Sequence, residues 1–349
     1  MRAILFMAIA LFVLTCKSQE HFHPTLIKLS DHHNIIFLDS INASSAIVSD
    51  TIEHFFEQIN RLDMSIQLKR KLNPSVERAS LLEEYKADLK KEVLNFNPDE
   101  IIFIQSIFQD IYKECIAISK NIFPSEIKLI KVRGSHYGDG AFYTRENCII
   151  IPQSDLKDPV SLSFRKTMLH ELFHIYSRLN TEKKEKLYGL IGFKSTGGKQ
   201  LLQIDNILKE KIVLNPDGIN YAYSIKLKAD DATTFNAIPL IISNEEDFNE
   251  NKTAFFAYLQ FGLYKIIPPF SKMIKVVSGP TGESIIDFKK QADFFEQITD
   301  NTDYIIHPDE LMADNFVILV QSQNDPSELD KLSAPGKELV SKVLEILSD

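Results

Sequence analysis

The chain has 349 residues, enough for one large domain or two ordinary ones, and its hydrophobic and charged contents of 44% and 25% are those of a globular protein. Its net charge of −9 disfavours nucleic acid as the main partner, because binding to phosphates requires a basic surface. No glycine-rich phosphate loop and no internal repeat is found in the sequence.

The N-terminus is typical of a targeting segment. An apolar run over residues 3–14 has the length of a signal peptide and is too short to cross a bilayer. Residues 13–19, Val-Leu-Thr-Cys-Lys-Ser-Gln, resemble a bacterial lipoprotein lipobox, which implies a lipid on Cys16 and membrane attachment. Ordinary cleavage of a signal peptide covering 1–18 is the alternative. We expect an exported protein, an envelope lipoprotein of the outer membrane or periplasm rather than a soluble secreted one.

Cysteine usage leaves two interpretations open. The chain contains three cysteines, at positions 16, 115 and 148. If Cys16 carries lipid, Cys115 and Cys148 could form a disulfide in an oxidising compartment. Two free buried thiols are the alternative. The spacing is not that of a zinc finger.

Residues 19–180 predict an α/β part. The elements expected there are a strand over 34–38, helices over 50–62, 75–95 and 99–123, and strands over 126–132 and 141–151. The histidines at 21, 23, 32 and 33 are expected at the surface. The strand 141–151 ends shortly before the next helix, so that a free edge there could pair with an extended peptide. An ordinary hairpin is the alternative.

The next helix carries the pattern His170-Glu171-x-x-His174. Residues four apart lie on one face of a helix, so both imidazoles can reach a single metal ion. A zinc ion held by three protein ligands lowers the pKa of its water to about 7. Glu171 lies close enough to serve as general base and then general acid.

The surroundings of this motif favour a buried helix. Asp158 and Pro159 predict its N-cap and first turn, and Asn180 suits its C-terminus. The residues between are strongly apolar. Burial of two histidines and a glutamate is costly without a partner, which a metal ion would supply.

Residues 181–349 predict a mainly helical part. The expected elements are helices over 183–189, 287–299 and 308–320, strands over 221–227 and 237–243, a turn at 215–218, and buried structure over 255–267.

A second informative stretch covers residues 304–316, Tyr-Ile-Ile-His-Pro-Asp-Glu-Leu-Met-Ala-Asp-Asn-Phe. His307 and Pro308 predict a helix start. Glu310 and Asp314 are four residues apart and share one face. A His-His-Glu zinc site needs a third ligand from elsewhere in the chain, and Glu310 suits it. Asp314 can hydrogen-bond a ligand histidine.

Other third ligands are less suitable. The acids of the polar loop are expected in solvent, two further glutamates follow the histidine helix too closely to fold back, and His307 is better placed for capping. These four acids are Glu245, Glu246, Glu182 and Glu185.

The two motifs together resemble the gluzincin metallopeptidases, the thermolysin-like group with HExxH on one helix and Glu-x-x-x-Asp on a later one. The resemblance covers about fifteen residues, and the gap of about 135 residues between the motifs is far longer than in thermolysin. The 304–316 segment is closer to that of uncharacterised bacterial zincin-like proteins. The metzincin pattern is excluded, because Ser177 and Asn180 stand where Gly and a third His would be.

The resemblance implies that His170, His174 and Glu310 bind Zn²⁺, with Glu171 as the base and Asp314 as the partner of a ligand histidine. A peptidase also needs a donor to the developing oxyanion. Tyrosine or histidine is usual in such sites, and Tyr223 is the first choice among four candidates. The other three are Tyr221, Tyr304 and His136.

The sequence therefore predicts an α+β, zincin-like fold and an exported zinc-dependent peptidase acting on peptide or protein substrates. A non-catalytic zincin fold used as a cell-surface binding module is one alternative. Zinc-dependent hydrolysis of a non-peptide amide is another.

Overall fold

The computed structural model describes residues 23–73, 75–157, 159–197, 201–217, 221–229, 233–267 and 273–349. The fold is mixed α+β, as predicted, and contains two six-stranded sheets. The predicted signal segment and Cys16 lie outside the described residues. Within the described part of the chain, no helix combines the length and the apolar character needed to cross a membrane.

The strands are β1 (Thr25–Lys28), β2 (Asn34–Phe37), β3 (Val93–Leu94), β4 (Glu126–Val132), β5 (Tyr143–Arg145), β6 (Cys148–Pro152), β7 (Phe193–Ser195), β8 (Leu201–Gln203), β9 (Tyr223–Lys228), β10 (Thr234–Ser243), β11 (Leu259–Ile267) and β12 (Met273–Val276).

The helices are α1 (Ser40–Ala46), α2 (Phe55–Gln58), α3 (Arg61–Gln67), α4 (Arg78–Glu92), α5 (Pro98–Ile118), α6 (Ser161–Leu179), α7 (Thr181–Leu190), α8 (Asn206–Lys211), α9 (Ala292–Ile298), α10 (Pro308–Asn324) and α11 (Ala334–Ser348). Short 3-10 turns cover 153–156, 255–258, 288–290 and 326–331.

The first sheet has the order β1-β2-β4-β6-β5, with β3 attached to the end of β4. Strands β2, β4 and β6 are parallel, whereas β5 pairs antiparallel with β6 at the edge. β6 is buried along its whole length, as expected for a strand covered on both faces, whereas β4 alternates buried apolar residues with the half-buried Glu126, Lys128 and Lys131.

The second sheet has the order β7-β9-β10-β11-β12-β8 and is antiparallel except between β12 and β8. It corrects the expectation that residues 181–349 are mainly helical. The apolar run 255–267 forms a 3-10 turn and then β11, which pairs antiparallel with β10 over residues 259–266. The two predicted strands of this region correspond to β9 and β10.

Local capping explains where several helices begin. Asn97 and Glu100 form a capping box at the start of α5, with Pro98 in the first turn. His307 caps α10 and Pro308 opens it, which confirms the predicted helix start. The helix α6 instead begins at Ser161.

The predicted N-terminus of α6 is wrong. Val160 occupies the cap position in extended conformation and makes no side-chain cap, so Pro159 precedes the helix. Asp158 lies outside the described residues. At the other end, Asn180 is the C-cap, as predicted.

The predicted helix over 50–62 is two short helices. The Asp50 carboxylate accepts hydrogen bonds from the N–H groups of Phe55 and Phe56, both at 2.7 Å, and so starts α2 there. Asn60 caps α3 by accepting from the N–H of Asp63 at 2.8 Å. Likewise, the strand predicted over 141–151 is the hairpin β5–β6, which turns at Glu146 with a φ of 55°.

Burial follows two hydrophobic clusters, and each contains side chains from both sides of residue 180. Cys115 belongs to one cluster and Cys148 to the other, and both are free buried thiols. The structure therefore supports the second of the two cysteine interpretations.

Asp63 is a buried carboxyl in this core. It accepts hydrogen bonds from the N–H of Leu214 at 3.0 Å and from the amide of Gln67 at 2.8 Å. Burial raises the pKa of Asp63 to about 6, against these two hydrogen bonds, which lower it. The native state thus retains a proton that the unfolded chain releases near its ordinary pKa.

We expect the stabilisation linked to this proton to be complete below about pH 4 and to be lost as the pH rises through about 6. The parent should therefore lose about 2–3 kcal/mol of unfolding free energy relative to Asp63→Asn between pH 4 and pH 7. Denaturant titrations in the presence of a chelator measure this difference. Asp110→Asn, which removes an exposed carboxylate, is the control. A parent–variant difference independent of pH would contradict the assignment.

Candidate metal centre

The centre lies where α6 packs against α10. Nε2 of His170 lies 2.9 Å from Oε2 of Glu310, and Nε2 of His174 lies 3.3 Å from the same oxygen. The three side chains thus offer ligand atoms that all lie within 4.8 Å of one another. The packing of the two helices brings together residues that are 136 positions apart or more. The arrangement is a buried group able to hold a metal ion.

The outer nitrogens of both histidines are fixed by carboxylates. Nδ1 of His170 donates to Oδ1 of Asp314 at 2.9 Å, and Nδ1 of His174 donates to Oδ2 of Asp309 at 2.7 Å. A carboxylate can only accept, so Nδ1 carries a hydrogen in each ring. Nε2 is therefore the atom that each histidine can offer to a metal ion.

Asp309 is itself held in place. Its carboxylate also accepts hydrogen bonds from the hydroxyls of Ser177 at 3.0 Å and Tyr188 at 2.6 Å. On the opposite side, the amide of Asn215 donates to Oε1 of Glu310 at 2.6 Å, and Thr302 donates to Asp314. These contacts leave Oε2 of Glu310 facing the histidines.

The charges of the centre are strongly coupled. Burial lowers the pKa of His170, but hydrogen bonds to Asp314 and Glu310 outweigh it and raise that pKa to about 10. Burial also lowers the pKa of His174, but the negative charge of Glu310 outweighs burial, so the pKa of His174 lies well above its ordinary value. The two histidines hold the pKa of Glu310 well below its usual range despite burial. Binding of a metal ion would release the histidine protons.

Glu171 is 4% exposed, and within the described residues its Oε2 has no hydrogen-bond partner. Burial raises the pKa of Glu171 to about 8, and the nearby Asp217 adds to the rise. A buried carboxyl without a hydrogen-bond partner is unusual in a native protein. Glu171 thus lies beside the two histidines with a buried oxygen that no described group binds.

Asp217 forms a second possible group with Glu171 and His174, also within 4.8 Å. Its Oδ1 already accepts hydrogen bonds from the N–H and the hydroxyl of Thr144, both at 2.6 Å. Since the two groups share His174, they describe alternative positions for one ion. The group with His170 and Glu310 has the better-oriented donors, because both imidazoles are fixed through Nδ1.

An open cleft of about 380 Å³ leads to the centre. Its walls include the segment 140–142, which precedes β5, and the side chains of Phe256, Tyr304 and Val317. Tyr304 stacks on His170 with ring centroids 6.0 Å apart. The cleft therefore presents an apolar wall and a carboxylate-rich floor.

Of the four predicted oxyanion donors, Tyr304 lines the cleft and the first choice, Tyr223, does not. The ring of Tyr223 packs at 4.7 Å on Tyr188, which binds the outer side of Asp309, and its side chain is 4% exposed. Tyr223 begins β9, within the strand predicted over 221–227, but its side chain is directed away from the cleft. His136 lies beside Asp88 in another part of the fold.

The structure brings together His170, His174, Glu310, Glu171 and Asp314, as the two motifs predicted. Sequence reasoning missed Asp309, although it directly precedes Glu310, because only a four-residue spacing was considered. It also missed Asn215 and Asp217, which were interpreted only as turn residues. A polar turn gives no signal of which side chains it directs inward.

Comparison with known proteins gives no match to a protein-family model, to a curated protein or to a solved structure.

We expect Asp309→Asn to weaken metal binding about 10–100-fold, because the amide can no longer accept from His174 as a carboxylate does. Competition against a chelating dye gives the dissociation constant. Asp139→Asn, at an exposed position, is the control. Equal affinities of Asp309→Asn and the parent would show that Asp309 does not orient the ligand.

Proposed function

We propose that this protein is a zinc-dependent peptidase of the zincin type. One observation carries the proposal. Two imidazole Nε2 atoms and one carboxylate oxygen converge, both Nδ1 atoms are bound to carboxylates, and the carboxyl group of Glu171, whose Oε2 has no described partner, lies within 4.8 Å of His174.

The donor set favours zinc. Two histidines and one glutamate form the three-ligand set of catalytic zinc sites, whereas calcium and magnesium prefer sites made of oxygen ligands only. His170, His174 and Glu310 would hold the ion. When bound, zinc would act as a Lewis acid on water and on a peptide carbonyl.

The chain's own residues would then move the proton. Glu171 takes a proton from the attacking water and delivers it to the leaving nitrogen, since its raised pKa suits a group that both accepts and donates near neutral pH. Metal binding alone would not need this carboxyl, which favours an enzyme over a binding module.

Tyr304 is the best-placed donor to the developing oxyanion. It lines the cleft beside His170. Partial burial, with Glu310 and Asp217 nearby, raises the pKa of Tyr304 above its usual range, so the hydroxyl keeps its proton. A protonated phenol can donate a hydrogen bond to a negative oxygen.

A peptide substrate is supported by the surroundings of the cleft. The segment 140–142 borders it and continues into β5, the antiparallel edge strand of the first sheet. The backbone groups of residues 140–142, which line the cleft, can bind an extended chain. The location outside the cytoplasm and the lipid on Cys16 remain predictions from the sequence.

We expect elemental analysis to find about one zinc per chain in the parent and a marked loss in Glu310→Gln. The amide removes the anionic ligand but keeps its shape. Glu328→Gln, at a half-buried carboxylate that pairs with Lys331 and does not line the cleft, should retain zinc. Absence of zinc from reloaded parent protein would exclude the enzyme and leave the alternative of a surface-binding module.

We expect Glu171→Gln to retain zinc and to lose about 10²–10⁴-fold in peptide cleavage, the usual contribution of a general base. The assay is a peptide library with mass-spectrometric detection, run beside amide-bearing glycans. Cleavage of glycan amides alone would redirect the proposal to non-peptide substrates. Unchanged peptide cleavage by Glu171→Gln would contradict the mechanism.

A further inference from the structure

The edge strand β5 is closed beyond the cleft. Thr144 is fully buried, and its N–H and hydroxyl both donate to Oδ1 of Asp217. The N–H of Thr144 is the group that an extended ligand at this edge would need. Asp217 therefore occupies the position that the next residue of a bound chain would take.

Further side chains fill the space behind Thr144. The guanidinium of Arg178 donates to the Thr144 hydroxyl at 2.9 Å, to the carbonyl of Glu146 at 2.9 Å, and to Oε2 of Glu53 at 2.7 Å. Arg178 is buried, and the whole of β5 is buried. A peptide lying along 140–142 consequently meets a wall at Asp217.

This closed end is rich in acidic groups. Among the described residues that line the cleft, four carry carboxyl groups, at Glu171, Asp217, Glu310 and Asp314, and Lys166 is the only lysine or arginine. Asp217, 7% exposed, lies at the wall, where one of its carboxylate oxygens is within 4.8 Å of a carboxylate oxygen of Glu171. A positively charged group would be favoured at this position.

The orientation of a bound peptide also favours an ammonium group beside Asp217. A peptide antiparallel to the segment 140–145 places its amino terminus at the Thr144 end. A parallel peptide would place its terminal carboxylate against Asp217, which charge repulsion disfavours. In either orientation, a bound peptide cannot extend past Asp217, because Thr144 and Arg178 fill the space behind it.

We propose that Asp217 binds the free α-ammonium group of a peptide, so that the substrates are peptide amino termini rather than internal bonds. This inference rests on the proposed peptidase function for its chemistry, but the binding preference that it predicts is independent of turnover. Asp217 determines specificity here, and Glu171 remains the proton-transfer group.

The test is a calorimetric titration of zinc-loaded Glu171→Gln, which binds without turnover. The two ligands are alanyl-alanyl-alanine amide and its N-acetylated form. We expect the peptide with the free amine to bind at least about tenfold more tightly than the acetylated peptide. This is the ratio of dissociation constants that one hydrogen bond between charged groups produces. Adding Asp217→Asn should reduce the ratio to near one. Asp303→Asn, which removes an exposed carboxylate beside Tyr304, should leave the ratio unchanged.

Asp217→Asn separates two causes of a preference for the free amine. Direct binding of the amine to zinc would keep the preference in the Asp217→Asn background, and that result would overturn the inference. Thr144→Val tests whether the carboxylate of Asp217 or the hydroxyl that holds it matters, because it removes the hydroxyl that donates to Asp217 and accepts from Arg178 but keeps the carboxylate and its bond to the Thr144 N–H. It should retain most of the preference. Equal binding of both peptides to a folded, zinc-loaded protein would also overturn the inference.

Product mapping with the zinc-loaded parent distinguishes failure of this inference from failure of the proposed function. Stepwise release of amino-terminal residues, blocked by N-acetylation, supports both. Internal cleavage of acetylated peptides refutes the role of Asp217 and leaves the peptidase intact. If neither peptide is cleaved, the peptidase proposal fails, and the titration alone decides whether the cleft recognises an ammonium group.

Discussion

The fold depends on the packing of α6 against α10, because this contact buries two histidines among four carboxylates. Each of these groups would be costly to bury alone. Together they form a continuous set of charge-assisted hydrogen bonds, in which Asp314 and Asp309 hold the outer nitrogens and Glu310 lies between the inner ones. Glu171 remains as the buried carboxyl without a hydrogen-bond partner among the described residues.

The rest of the structure supports this contact from both sides. The first sheet supplies Thr144, whose hydrogen bonds fix Asp217, and the turn between α8 and β9 supplies Asn215, which fixes Glu310. The helix α7 supplies Tyr188 to Asp309. A site assembled from so many elements explains why the hydrophobic clusters contain residues from both sides of residue 180. The centre and the core are consequently expected to lose order together.

The sequence predicted the centre well, because each motif lies on one helix and helical spacing fixes which side chains share a face. His170 and His174 required no knowledge of the fold, and Glu310 with Asp314 required only that the two helices meet. Asp309, Asn215 and Asp217 could not be assigned in this way, because their roles depend on which loop faces which helix. For the same reason the sequence did not show that the ring of Tyr223 packs on Tyr188 and not in the cleft.

Secondary structure was predicted best where one local signal dominates. The strand over 126–132 and the helix start at His307 and Pro308 follow from alternation and capping. The second sheet was predicted only in part, because β11 is an apolar run whose periodicity does not distinguish a buried strand from a buried helix. A free strand edge and an ordinary hairpin were both compatible with the sequence of this region. The structure has the hairpin β5–β6, and the outer edge of β5 at Thr144 is bound by a side chain from a turn more than 70 residues later.

Anomalous diffraction at the zinc absorption edge, from crystals of zinc-loaded protein, tests the central claim most directly. The account predicts one strong peak within bonding distance of Nε2 of His170, Nε2 of His174 and Oε2 of Glu310. A peak bound instead by Glu171, His174 and Asp217 would contradict the assigned ligands and the role of Glu171 as base. Absence of any peak between α6 and α10 would contradict the metal centre itself.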